Sequence, residues 1–246
     1  GDGKCIYRLA ADTEYREAMA YNHNGQAQIH VRPGKYKVVV SRGIEYEVAT
    51  IENVEVDGGQ IKELSFVLKH SVPTPKAISA DLHVHTNRSH DASISDKDRA
   101  SSYVAEGVDY FVVTDHNFIR DFQPIIEALG LERWVKTTIG VELTTFEMGH
   151  FNAFPLKLNQ LKFNGGNPPW FKKESRYKED PVFPNGTTPR PSKGLREGFS
   201  PGEVFAHLRK MGSLCNDDPA CAKTIVQINH PRDSIFGYFK TYMLDN

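Results

Sequence analysis

From Ile78 onward the chain alternates short apolar runs with helical stretches, and this rhythm restricts its possible folds more than any other feature. Ile78 to His83, Tyr110 to Thr114, Val135 to Val141, Phe151 to Phe154 and Thr224 to Ile228 read as strands. Ser95 to Glu106 reads as a helix, with Ser95 as N-cap and Asp96 and Asp98 in the first turn, where carboxylates meet unpaired N–H groups. Phe122 to Leu129 is a second helix, stopped by Gly130. Ser200-Pro201-Gly202-Glu203 opens a third, running to about Met211, with a capping box and proline at its first position. Strands separated by helices predict a parallel sheet, and their number here predicts an α/β barrel.

The chain before Ile78 follows a different pattern. Ala27 to Val31 alternates, Pro33-Gly34 turns, Lys35 to Val40 continues with β-branched residues, Ile44 to Val56 repeats the pattern, and Ile61 to Leu68 closes it after Asp57-Gly58-Gly59. This predicts a small antiparallel β-sandwich over residues 1–70. Val31-Arg32-Pro33-Gly34-Lys35-Tyr36-Lys37-Val38 resembles the carboxypeptidase-regulatory or transthyretin-like modules. Residues 71–77, with Pro73 and Pro75, read as a linker, and residues 78–246 as the second domain. Residues 156–199 interrupt that domain with eleven Gly and Pro, among Phe163, Trp170, Phe171, Tyr177 and Phe183. An excursion of this length is either functional or disordered, and a lid facing the substrate is expected here.

Composition sets the outer limits. The chain has 246 residues, 39% hydrophobic and 25% charged, and can bury a core of its own. A net charge of −1 gives no basic field for nucleic acid, and no apolar run approaches the roughly 18 residues of a membrane span. By segment the balance is uneven: residues 78–155 hold six basic and twelve acidic side chains, residues 156–199 nine and four. An acidic stretch followed by a basic one suits a cation site with a loop that meets an anion, although a solvated surface of mixed charge accounts for it equally. Cys215 and Cys221 flank a short polar loop and either close a disulfide or stay free, with Cys5 left over. The disulfide reading, with the sandwich, places the chain in the periplasm or outside the cell.

The chemistry gathers where strands end. His83 and His85 sit two apart at the end of the first strand, on one face, so both imidazoles can reach one ion. Asp115 and His116 follow the Tyr110 strand, Glu142 follows Gly140-Val141, and His230 follows the Thr224 strand. His150 begins the strand through Phe154, and Asp91, with His90 as its competitor, lies on the turn after His85. Imidazoles and carboxylates in this number form the donor set of a divalent metal centre, and they do not choose between zinc, manganese and iron. Asp115 either orients a histidine, relays a proton or is merely a capping carboxylate, and Arg232 either clamps an anionic substrate oxygen or sits on the surface.

In order and spacing, Asp81-Leu82-His83-Val84-His85-Thr86, Ser89-His90-Asp91, Thr114-Asp115-His116, Gly140-Val141-Glu142, Gly149-His150 and Asn229-His230-Pro231 are similar to the motifs of the polymerase-and-histidinol-phosphatase (PHP) superfamily. The closest branch looks like the carbaryl-hydrolase-like metallohydrolases. The resemblance covers about residues 78–240 and implies a distorted (β/α)7 barrel with two or three Zn, Mn or Fe ions. It assigns His83 and His85 to one ion, Glu142 as the bridge to a second, His150 and His230 to that second, and His116 and Asp91 to a third. The family's late Asp-x-His motif does not occur before Asn246, so the barrel is expected to be truncated at its C-terminal end.

Such a centre hydrolyses. A bound divalent ion lowers the pKa of water from 15.7 to about 7, and two ions roughly 3.5–4 Å apart stabilise both the attacking and the leaving oxygen. The expected substrate is a small anionic or aryl molecule, with phosphoesters first, carbamates, esters or amides second, and no nucleic acid as primary partner. A binding protein built on a degenerate barrel is the alternative from another class. An amidohydrolase also opens with His-x-His, but the Thr114-Asp115-His116 and Gly140-Val141-Glu142 pieces argue against it.

Overall fold

A computed structural model describes residues 18–145, 148–171, 199–212, 223–235 and 237–241. Cys5, Cys215, Cys221 and residues 172–198 of the insertion, including Tyr177 and Phe183, lie outside the described residues. Eight strands are described: β1 (Gly34–Val40), β2 (Ala49–Val56), β3 (Ala80–Val84), β4 (Tyr110–Val113), β5 (Lys136–Ile139), β6 (Val141–Thr144), β7 (His150–Phe154) and β8 (Ile225–Ile228). The helices are α1 (Asp96–Ala105), α2 (Gln123–Ala128), α3 (Pro201–Met211) and the single turn α4 (Tyr238–Thr241). None of the described helices is long and apolar enough to cross a membrane.

The chain divides into two compact units, and the boundary passes through β3, β4 and β5. The first contains the described residues up to Leu82, with Asp91–Phe111 and Phe122–Thr137. In it β1 and β2 form an antiparallel ribbon, Gly34 opposite Val56 and Val40 opposite Ala49. Helix α1 begins as its sequence dictates, the Ser95 side chain accepting a hydrogen bond from the Asp98 N–H. Tyr103 of α1 stacks on Phe111 at 4.9 Å and donates its hydroxyl to Asp81 at 2.7 Å. Phe111 meets Phe122 edge-on at 5.5 Å, and Ile126 and Leu131 are fully buried in the same unit. Helix α2 ends where Gly130 takes φ +65°, a conformation that suits glycine.

The second unit contains His83–His90, Val112–Asp121 and the described residues from Thr138 onward. Its core joins Val141, Leu143, Phe151, Ala153 and Leu156 to Val204 and Leu208 of α3. Ser200 and Glu203 make the reciprocal capping box that the sequence announces. Strands β6, β7 and β8 form one sheet in chain order, antiparallel at both pairings.

The structure corrects the expected fold. Among the described residues no (β/α)7 barrel closes: the strands divide into a two-stranded sheet and two three-stranded sheets, β3-β4-β5 and β6-β7-β8. The reason lies in connection lengths. Only five residues separate Thr144 from His150, whereas a parallel crossover needs a dozen or more, so β6 and β7 must form a hairpin. The Thr145 hydroxyl donates to the Gly149 carbonyl at 2.8 Å within that connection. The expected strand Val135–Val141 is also two strands of two sheets. They part at Gly140, where a Cβ would stand 2.5 Å from a Val112 methyl. Among the described residues the expected sandwich is likewise reduced to the β1–β2 ribbon. Ala27–Val31 and Ile61–Leu68 form no described strand, and Ile61 and Val67 are 78% and 90% exposed.

Candidate metal centre

In the second unit, antiparallel pairing of β6, β7 and β8 brings His150 and His230 to the strand that carries Glu142, with no closed barrel among the described residues. His83 and His85 flank Val84, which is buried, so the two imidazoles share the opposite face. Glu142 lies opposite Asn152 in the β6–β7 ladder, and His150 lies opposite Thr144. A strand that begins at histidine thus starts beside the end of β6. β8 runs back antiparallel to β7, and the Asn229 N–H donates to the His150 carbonyl at 2.9 Å, carrying His230 to the same end. His230 has φ +26°, a strained backbone for a residue with a side chain, of the kind held where function requires it. His116 forms an isolated parallel bridge with Glu142, and the Asn117 N–H donates to the Glu142 carbonyl at 2.9 Å.

Glu142 is the centre of the arrangement, with only 1% of its surface exposed. Its Oε2 lies 3.3 Å from His83 Nε2, 3.1 Å from His85 Nε2 and 3.1 Å from His116 Nδ1. Its Oε1 lies 3.3 Å from His150 Nδ1, 3.6 Å from His230 Nε2 and 2.8 Å from Asn229 Nδ2. Burial alone pushes the Glu142 carboxyl pKa upward; the polar groups that surround it, His150, His83, His85 and the Asn229 amide that donates to Oε1, outweigh it and hold the group ionised, far below the usual carboxylate range.

Five imidazoles around one carboxylate do not form a balanced set of ion pairs. Were all five protonated, a large positive charge would be concentrated on rings only 4.5–6.5 Å apart where their contacts are direct. Left neutral, a ring whose facing nitrogen carries no hydrogen directs a lone pair at an anion. His85 illustrates the second case. Ser89 Oγ donates to Asp115 Oδ1 at 3.1 Å and therefore accepts from His85 Nδ1 at 2.8 Å, and the network assigns the bare lone pair to Nε2. That lone pair faces Glu142 Oε2, an atom with no hydrogen bond among the described residues. A divalent cation satisfies both atoms at once, so the donor set fits the metal that the resemblance implies. Two triads, His83–His85–Glu142 and His116–Glu142–His150, each keep one ligand atom per residue within 4.8 Å of one another, and they share Glu142.

The remaining predicted residues are placed as follows. Asp115 is wholly buried and is held by the Thr86 N–H at 2.7 Å, the Thr86 and Ser89 hydroxyls and the Arg120 guanidinium at 3.3 Å. Of the roles open to it from sequence, this geometry serves orientation of His85 through Ser89. His90 stacks on His116 at 4.6 Å, while Asp91 is exposed and belongs to the first unit. Arg232 is exposed, its guanidinium over the Phe239 ring at 5.7 Å. The Phe163–Gly166 turn at the start of the insertion is tied to the loop after His116, with the Ile119 N–H donating to the Asn164 carbonyl at 3.0 Å.

Sequence reasoning missed Asn152, Asn229, Thr144 and Arg120. Asn152 carried a signal: it is the single polar side chain inside the apolar run Phe151–Phe154, and it is fully buried. Comparison with known proteins finds no family model that matches this chain and no curated protein significantly similar to it.

Proposed function

We propose that this chain is a metal-dependent hydrolase of the PHP type acting on phosphoester substrates. The observation that carries the reading is the buried carboxylate of Glu142 with five imidazole nitrogens 3.1–3.6 Å from its oxygens. His83 and His85 would hold one divalent ion and His150 and His230 a second, with Glu142 and His116 available to either. Zinc, manganese or iron would supply Lewis acidity there, acidifying water and drawing charge from a substrate oxygen. The protein's own share is orientation. Ser89, anchored by Asp115, fixes the His85 tautomer, and Thr144 engages His116 Nδ1. The net positive charge of residues 156–199 favours an anionic substrate.

Hydrolysis of an aryl carbamate or ester is the second reading. It rests on the aromatic content of the insertion, where Phe163 is 88% exposed and Trp170 meets Phe171 edge-on at 5.7 Å. Metal-loaded protein is assayed on nitrophenyl phosphate, bis-nitrophenyl phosphate and a naphthyl carbamate. Turnover of a phosphoester, lost in Glu142→Gln, is expected. Carbamate turnover without phosphoester turnover transfers the assignment to the second reading, and full metal occupancy without any turnover leaves a binding protein.

A further inference from the structure

The two oxygens of Glu142 are not equivalent. Oε1 accepts from Asn229 Nδ2 at 2.8 Å, and the same amide nitrogen donates to Asn152 Oδ1 at 2.7 Å. Both amide hydrogens of Asn229 are thereby committed, and its own oxygen accepts from Gln227 Nε2 at 3.3 Å, so the amide cannot flip without losing all three bonds. Asn229 and Asn152 are 2% and 0% exposed, and no solvent competes for these contacts. Oε2, by contrast, has no hydrogen bond among the described residues. Its nearest ring nitrogens lie at 3.1–3.3 Å, whereas those facing Oε1 lie at 3.3 and 3.6 Å.

We propose that Asn229, braced by Asn152, is a positioning residue that makes Glu142 an unequal bridge, so that the centre loads in order: the first ion on Oε2 with His83 and His85, the second on Oε1 with His150 and His230. The inference rests on the metal-centre reading above. A hydrogen bond to a ligating oxygen consumes lone-pair density that a cation would otherwise take, so the occupied oxygen is the weaker ligand. The same bond fixes the roll of the carboxylate and points Oε2 at its two histidines before any ion arrives.

The test is zinc loading of the chelator-stripped full chain, followed by competition with a chromophoric chelator. Wild type is expected to bind two ions with dissociation constants at least ~10-fold apart, the usual scale of such supporting contacts. His83→Ala should remove the tight step and His230→Ala the weak one. Asn229→Ala should draw the two constants together, because it frees Oε1 and lets Oε2 roll away. A variant that was merely less stable would weaken both steps alike. Asn152→Ala, which releases the brace and leaves Asn229 in place, should narrow the gap in the same direction and serves if Asn229→Ala does not fold. Two equal steps in wild type, a tight step that survives His83→Ala, or a gap unchanged in the folded asparagine variants overturns the ordering while leaving a metal centre in place. No zinc bound by wild type overturns both the ordering and the metal centre.

Discussion

Asp115 and Arg232 stood as equals in the sequence, each an ionisable residue beside a histidine at a strand end. Their surroundings separate them. Asp115 is fully buried, accepts from Thr86 and Ser89 and pairs with the Arg120 guanidinium, whose side chain is itself only 13% exposed. Removing one partner of a buried ion pair strands the other, so Asp115→Ala should lower unfolding free energy by about 3 kcal/mol, read as a fall in the urea midpoint. Arg232 stacks on Phe239 at the surface, and Arg232→Ala should stay within about 0.5 kcal/mol of wild type in the same measurement. Equal effects from the two substitutions would contradict the assignment of Asp115 as the anchor behind His85. The metal-ligand candidates were legible at this scale because histidine and glutamate at strand ends stand out from apolar runs. Asn229 was visible only as the neighbour of His230, since nothing in a linear sequence reveals which carboxylate an amide will face.

At the scale of elements, local signals translated well. Ser95 and Ser200 cap the helices they were expected to cap, and Gly130 takes the left-handed conformation that ends α2. Strand direction did not translate, because a strand buried on both faces reads as the same continuous apolar run whether its neighbour is parallel or antiparallel. The five-residue connection before His150 was the available clue, and it overrides the alternation of strand and helix. Tyr103 gives a prediction at this scale. Burial first, and then the hydrogen bond to Asp81, push its phenol well above its usual pKa of about 10. A folded-state pKa above the unfolded one means that the native state holds its proton longer. This contribution to stability is complete below about pH 10 and is lost as pH rises beyond it. Urea midpoints at pH 8, 10 and 11 should therefore fall more steeply for wild type than for Tyr103→Phe. Parallel declines would show that the phenol does not anchor α1.

For the whole molecule, the expected architecture and the candidate site come apart. The barrel is absent among the described residues and the sandwich is reduced to one ribbon, yet His83, His85, His116, Glu142, His150 and His230 gather in one compact unit. A hairpin and a returning strand place strand starts and strand ends side by side, so the same residues converge under a different topology. A donor set of this kind does not depend on one topology to assemble. Metal stoichiometry probes it, measured by plasma mass spectrometry on chain purified without chelator beside a His83→Ala/His85→Ala variant. A metal centre at Glu142 should give about two ions of zinc, manganese or iron per wild-type chain and no more than one in the variant. Less than about half an ion per chain, unrestored by adding those metals, would rule such a centre out.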